Sequence, residues 1–406
     1  MLENMAYKYI QARQKTTSDG SWLLRPDVGA RRMGVEAHRV MMTYLMHDIL
    51  STAKLTPTRW DKFNKTYSKA KLIPCQNIVR ASTDDRFTCF SWSERLKSYT
   101  GYFAANSPDK NKIVVPYRAN NTGNILGWYE VQGKRTNATP VVKGNYLLEG
   151  NSYVMNGELN TNEGTLNHRF VLYSTPKNAL IYLDYVTANA DATIIAEKGG
   201  LLAISTDALM KTSRTLYYMG GQQTTDGSQM VTFESPWVNI DNELGVINVN
   251  PNPNDNTNPA LPLGGVGGGF IAFGDRTANN SIFTSKLYPM YSNTSRAVKA
   301  GETVDARNLV YYSNINAKKT QKMAKRLVSL KDQLPKGWNG VIVPDAGCTY
   351  LLISNFKGDT DCQLSTSDLP LKKWKAVFPD ETRITKNGST LTLHVEQNHS
   401  VVFIRK

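Results

Sequence analysis

Cysteine, histidine and long apolar runs are what this chain has least of, and each shortage removes a class of function. The four cysteines, Cys75, Cys89, Cys348 and Cys362, show no Cys-x-x-Cys spacing, so no zinc site is expected and no metal is called for. They fall into two pairs local in sequence, and a disulfide in either fits the spacing without being demanded by it. Five histidines are few for a catalytic argument built on imidazole. No apolar run reaches the roughly 18 residues of a membrane-crossing helix. The segment Met1-Leu-Glu-Asn-Met-Ala-Tyr-Lys8 lacks a charged region followed by an apolar core, so no signal peptide is expected. The glycine-rich run 264–269 is followed by no Lys-Ser/Thr and opens no helix, which excludes a phosphate cradle. Helix-turn-helix, zinc-finger and RNP patterns are also missing, and the basic residues are not expected to gather into a tail or a Lys/Arg-rich helix.

What is present is charge of one sign. Forty-eight Lys and Arg stand against 34 Asp and Glu, a net charge of +14. Such a field favours polyanionic partners through long-range attraction and counterion release. Nucleic acid and acidic polysaccharide satisfy it equally; the Trp, Tyr and Asn in strand-like segments favour sugar, because flat rings stack on sugar faces and amides bond hydroxyls. A basic surface with no cognate polyanion is the competing reading. A hydrophobic share of 40% and a charged share of 20% describe an ordinary globular chain, and 406 residues exceed one ordinary core, so two or three domains are expected.

Periodicity divides the chain. Residues 1–72 read as helical: Val35, His38, Met42, Leu45, Met46 and Ile49 recur at three- and four-residue steps, and Thr58–Tyr67 adds a short amphipathic helix after Pro57. From about Ile73 the period becomes two. Strands are predicted over Val141–Leu147, Ser152–Leu159, His168–Tyr173, Ala179–Thr187, Thr193–Ala196, Leu201–Ser205, Thr215–Tyr218 and Gly245–Val249, separated by turn residues. Asn250–Pro259 and 264–269 read as loops. Asn316–Leu334 is the one later segment with helix character, ended by Pro335-Lys-Gly337, and Trp338 to Lys406 reads as about seven short strands.

One pattern is more specific. Arg86-Phe-Thr-Cys-Phe-Ser-Trp-Ser-Glu-Arg95 leads towards Asn124-Ile-Leu-Gly-Trp-Tyr-Glu-Val-Gln-Gly133. Ser93, Arg95, Asn124, Gly127, Trp128, Tyr129 and Gly133 resemble the start of the β-domain in polysaccharide lyases of the hyaluronate and chondroitin AC type, with Gly123 where that family has Glu. Upstream, Asp19-Gly-Ser-Trp22 resembles the segment before the family's catalytic helix. The resemblance puts the family's catalytic His on Arg25 and its Tyr on Gly34 or Met33, while the catalytic Asn would lie before Met1. It implies the last helices of an α/α toroid over residues 1–72, a large antiparallel β-sandwich over 73–315, and a linker helix with a small C-terminal β-sandwich over 316–406. It implies β-elimination on a uronate polysaccharide, no cofactor, a periplasmic or extracellular location, and a toroid portion missing from this chain.

Candidate residues follow. Arg25, Arg31 and Arg32 place three guanidiniums near one helix end, where a planar fork can hold a uronate carboxylate; Arg32 paired with Glu36 is the bland alternative. His38 and Tyr44 are weak acid/base candidates on a helix whose apolar stripe could equally bury them. Arg95, Asn124, Trp128 and Tyr129 are candidate substrate binders. Adjacent aromatics in an alternating strand should not both be core, so one of Trp128 and Tyr129 is expected to face outward, with a structural seam as the alternative. His168-Arg169 should point to opposite faces, and Asp241 or Glu243 could hold a cation although no spacing demands it. The sequence therefore reads as mainly β with an N-terminal helical piece, and as a polysaccharide lyase. A glycoside hydrolase on a related scaffold, needing two flanking carboxylates, and a non-catalytic glycan binder are the alternatives.

Overall fold

The computed structural model describes residues 70–73, 78–82, 86–93, 97–103, 125–135, 141–148, 151–200, 202–206, 212–249, 270–279, 282–290, 295–365, 374–378 and 383–406. The expected N-terminal helices and the loops over 250–259 and 264–269 lie outside them. Among the described residues the chain is mostly β, with the strand pairs antiparallel and one helix, Ala317–Ala324.

A ten-stranded sheet is the centre of the fold. Its path runs Gly221–Thr225, Arg214–Tyr218, Trp237–Ile240, Leu244–Asn248, Asn308–Ser313, Ala179–Ala188, Leu166–Ser174, Ser152–Thr161 and Val141–Leu148, with Thr303–Asp305 continuing beside Ala179–Ala188. Side chains alternate across this sheet, and both faces are covered. From Ala179–Ala188, Leu180 and Tyr182 enter one apolar cluster, with Phe90, Ile204, Phe273 and Leu287 from two four-stranded sheets on that side. The neighbours Ala179, Ile181, Leu183 and Tyr185 enter a second cluster with Val341, Leu352 and Val402. All ten residues of Ala179–Ala188 are accordingly buried, so an apolar run, not a clean alternation, encodes this strand.

The second cluster joins the sheet to the C-terminal portion. There a five-stranded sheet and the three-stranded sheet of Asp361–Ser365, Thr390–His394 and Arg383–Asn387 enclose their own core around Leu351, Ile353, Leu364 and Leu393. Trp338–Asp345 and six later strands make seven from Trp338 onward among the described residues. The predicted helix is shorter than Asn316–Leu334: it occupies Ala317–Ala324, and the chain returns to a strand at Val328–Ser329. Cys348 and Cys362 are free thiols, and burial pushes Cys362 up to about 11. Cys75 lies outside the described residues.

A polar junction locks the layers. Arg86 donates to the backbone oxygens of Ala179 and Thr175 and to Ser174 Oγ. From the other side Asp345 accepts from Asn178 N at 2.9 Å, Ala179 N at 3.1 Å and the Thr175 hydroxyl. One turn of the central sheet is thus held both by an N-terminal strand and by the C-terminal portion.

Candidate functional site

The segment that carries the lyase resemblance is built by backbone demands. Gly127 (φ +67°) and Gly133 (φ +75°) lie in the left-handed region that favours glycine. Between them runs the strand Trp128–Val131. Val131 pairs with Lys134 across Gln132-Gly133, and both turn residues have positive φ, the geometry of a two-residue hairpin turn matched to strand twist. The strand also pairs with Ala192–Lys198.

Neither ring of this segment faces outward: Trp128 is 6% exposed and Tyr129 1%. The expectation that one of the adjacent aromatics must be an exposed platform therefore fails. The alternation is present, but this covering layer is itself covered, so both directions end in protein.

Tyr129 reaches down onto a buried charge cluster of the central sheet. Its hydroxyl accepts from Arg307 Nη1 at 2.6 Å, and its ring meets the edge of His168 at a centroid distance of 5.7 Å. Arg307 Nη1 also lies 3.0 Å from Asp184 Oδ2, and its guanidinium pairs with Asp305. Asp184 Oδ1 accepts the Arg307 backbone N–H at 2.8 Å, and Oδ2 accepts the Tyr182 hydroxyl at 2.9 Å. His168 Nε2 stands 3.1 Å from Tyr182 Oη and 3.2 Å from Asp184 Oδ2. Since Tyr182 spends its proton on Asp184, both oxygens present acceptors to His168 Nε2, which places a hydrogen on that nitrogen.

Electrostatics agree with the geometry. Burial alone would raise Asp184, but the Arg307 guanidinium and the His168 imidazole outweigh it and hold the carboxyl well below the usual carboxylate range. Burial, then the Asp184 charge, pushes the Tyr182 phenol well above its ordinary value. The side chains of Arg307 and Asp184 have no exposed surface, so this cluster holds no substrate proton within reach of solvent. It fixes the Gly-Trp-Tyr strand to the sheet. Gly199 belongs to the same construction, because a Cβ there would lie 2.2 Å from Arg307 Nη1.

His168 and Arg169 point to opposite faces, as expected. Arg169 lies on the side of the C-terminal portion, 3.6 Å from Glu158 Oε2, which also accepts from Asn398 Nδ2 at 3.1 Å. His394 pairs with Asp361 of the neighbouring strand, both side chains being exposed, and His399 bonds the Gln397 carbonyl. Asp241 is no open cation ligand: it accepts from Arg214 Nη1 at 2.9 Å and from Thr215 N at 2.9 Å. Among the described residues no cluster of three or more metal-ligating side chains occurs. No helix of the described residues is long and apolar enough to cross a membrane.

Arg25, Arg31, Arg32, His38, Tyr44, Arg95 and Asn124 lie outside the described residues. Of the sequence-predicted site, Trp128 and Tyr129 are the members the structure places. Sequence reasoning missed Asp184, Asp305 and Arg307. A signal existed, because Asp184 interrupts the apolar run Ala179-Leu-Ile-Tyr-Leu-Asp-Tyr-Val186, and a charge inside a doubly covered strand requires a buried partner.

No family model matches the sequence, and no curated protein matches it. Solved structures that align with this chain include a Paenibacillus xanthan lyase, at 12% identity and TM-score 0.42 over 99% of this chain and 44% of that one. Heparinase III aligns at 13% identity and TM-score 0.38, over 71% of this chain and 43% of that one. The galactosidase domain of an α-galactosidase-sucrose kinase aligns at 9% identity and TM-score 0.41, over 63% and 43%. The chain spans less than half the length of each.

Proposed function

We propose that this chain acts on an acidic, uronate-containing polysaccharide, and that its reaction is β-elimination. The observation that carries the reading is that the Gly127-Trp128-Tyr129 segment, on which the lyase resemblance rests, is a defined element whose glycines are required by φ and whose tyrosine is anchored on Arg307. The net charge of +14 supports a polyanionic substrate.

In this reading Arg25, Arg31, Arg32 and Arg95 supply guanidiniums that neutralise the uronate carboxylate and acidify the C5 proton. Tyr44 or His38 takes that proton and an acid returns one to the departing glycosidic oxygen, leaving a double bond in the new non-reducing-end sugar. Asn124 contacts the sugar, while Trp128 and Tyr129 set the position of the turn. A binding-only reading is favoured by one observation: the resemblance puts Arg25 where the family has its catalytic His, and an arginine is always protonated.

The test is incubation with a panel of uronate polymers, followed by the ultraviolet absorbance of the unsaturated uronate. Product that is lost in Tyr44→Phe or His38→Ala supports elimination and names the base. New reducing ends without absorbance indicate hydrolysis; binding without either product selects the binding-only reading.

A further inference from the structure

The sequence suggested no Lys/Arg-rich helix, yet the helix Ala317–Ala324 carries Lys318, Lys319 and Lys322 in eight residues and is followed directly by Lys325 and Arg326. Thr320 faces the sheet, where Asn239 Nδ2 donates to its hydroxyl at 2.8 Å. Ala317, Met323 and Ala324 pack on the apolar cluster beneath. The lysines are left on the solvent side, all exposed. None of them forms an ion pair among the described residues.

Two of these lysines stand where they oppose the helix. Its first turn holds no acidic residue, and a cation there opposes the helix dipole by about 0.3–1 kcal/mol. Lys318 and Lys319 also stand four and three residues from Lys322, the spacings at which like charges repel. The Asn316 cap, which accepts from Lys319 N, and Lys322 in the last turn favour the helix. No carboxylate among the described residues offsets Lys318 and Lys319 at its start, however, and exposed cations left without a partner in the fold suit an anionic ligand.

The sheet beside the helix completes the chemistry. Asn239, which bonds the helix, pairs across strands with Tyr217, so Tyr217 lies on the helix side, packed against the same cluster. Gln222 opposes Tyr217 and Thr224 opposes Thr215, whose hydroxyl is 3.0 Å away. Gln222 and Thr224 therefore share that face. Gly221–Thr225 is the sheet edge, exposed along Gly221–Thr224, and contains no charge or proline, the residues that ordinarily protect an edge.

We propose that the lysine face of this helix and the adjoining Tyr217, Gln222 and Thr224 form a binding surface for acidic polysaccharide. The ammonium groups match carboxylate or sulfate, the half-buried ring offers a stacking face, and the amide and hydroxyl match sugar hydroxyls. The edge strand's neutral polar groups favour sugar over a phosphate backbone, which asks for cations along its whole track. The inference rests on the reading that acidic polysaccharide is this protein's ligand.

The experiment measures binding of the full chain to chondroitin sulfate, polygalacturonate, dextran and a single-stranded oligonucleotide across a salt series. Lys318→Gln/Lys319→Gln/Lys322→Gln is compared with Lys134→Gln/Lys177→Gln/Lys375→Gln, which removes equal charge elsewhere. Glutamine is a good helix former, so the helix is retained. The helix variant should weaken binding to the charged glycans about tenfold and reduce the salt slope by about two to three, with the control within about twofold of wild type. Gln222→Ala should weaken glycan binding at every salt concentration without changing the slope. Equal losses in the two lysine variants overturn the surface while leaving the acidic-polysaccharide reading in place. Failure of the wild type to bind either charged glycan overturns both, and tighter binding of the oligonucleotide, lost in the helix variant, replaces the sugar with nucleic acid.

Discussion

Asp184 accepts hydrogen bonds from Arg307 and Tyr182 in the middle of a strand with no exposed residue. Removing one partner of a buried pair leaves the other charge without compensation, at about 3–5 kcal/mol. Arg307→Met and Asp184→Ala should each lower the urea midpoint by that equivalent. The double variant should cost less than the sum, and full additivity would mean that the two charges are not coupled. The pH dependence has a definite sign. Because the folded carboxyl titrates below its unfolded value of about 3.9, its contribution is complete above about pH 5 and disappears as pH falls through the folded value. Wild type should lose stability on acidification below about pH 4 more steeply than Asp184→Asn. At this scale the sequence was partly legible. His168-Arg169 announces opposite faces, and Gly127 and Gly133, read as part of a family pattern, prove to be positions that their φ requires. The burial of both Trp128 and Tyr129 was not legible, because alternation reports direction and not what lies in that direction.

At the scale of the element, the eight strands predicted between Val141 and Val249 lie within one or two residues of their observed bounds, since turn residues such as Asn162-Glu163-Gly164 mark the reversals and do adopt positive φ. The strands Gly221–Thr225, Val231–Glu234, Phe270–Asn279, Ile282–Met290 and Asn308–Ser313 are not among the predicted ones, although Asn308–Ser313 is fully buried and central. Its place beside Ala179–Ala188 depends on a partner over 100 residues away, which local pattern cannot show. The helix was overextended because lysine and leucine favour helix, whereas Leu327 and Leu330 are drawn into tertiary cores. Contact between helix and sheet requires Gly245, where a Cβ would stand 2.6 Å from Thr320 Oγ1 and 2.9 Å from its Cγ2. Gly245→Val should push the helix off the sheet, cost about 1–3 kcal/mol, and weaken binding to charged glycans. Retained binding after a measured loss of stability would separate the lysine surface from the helix's seating. Asp345→Ala should likewise lower stability by about 1–3 kcal/mol, read as a shift in the thermal midpoint, because it leaves the Asn178 N–H without its acceptor and the Ala179 N–H with Thr175 Oγ1 alone.

Over the whole molecule, net charge points to a polyanion and periodicity to a mostly β chain, and the described structure is mostly β. Composition could not say where the charge gathers, since a net value of +14 is the same whether cations are paired or presented. The structure pairs Arg214, Arg276 and Arg307 with carboxylates and leaves the lysines of Ala317–Ala324 open. Attraction to a charged glycan should therefore fall with added salt, the field reaching only about 8 Å at physiological ionic strength. The most direct test of the central claim compares a uronate polymer with the same polymer after its carboxylates have been reduced to alcohols. Chain length and sugar shape are then constant and only the charge differs. The account predicts at least about tenfold weaker binding to the reduced polymer, with the salt dependence largely gone. Equal affinity for the two polymers, at low and at physiological salt, would contradict it.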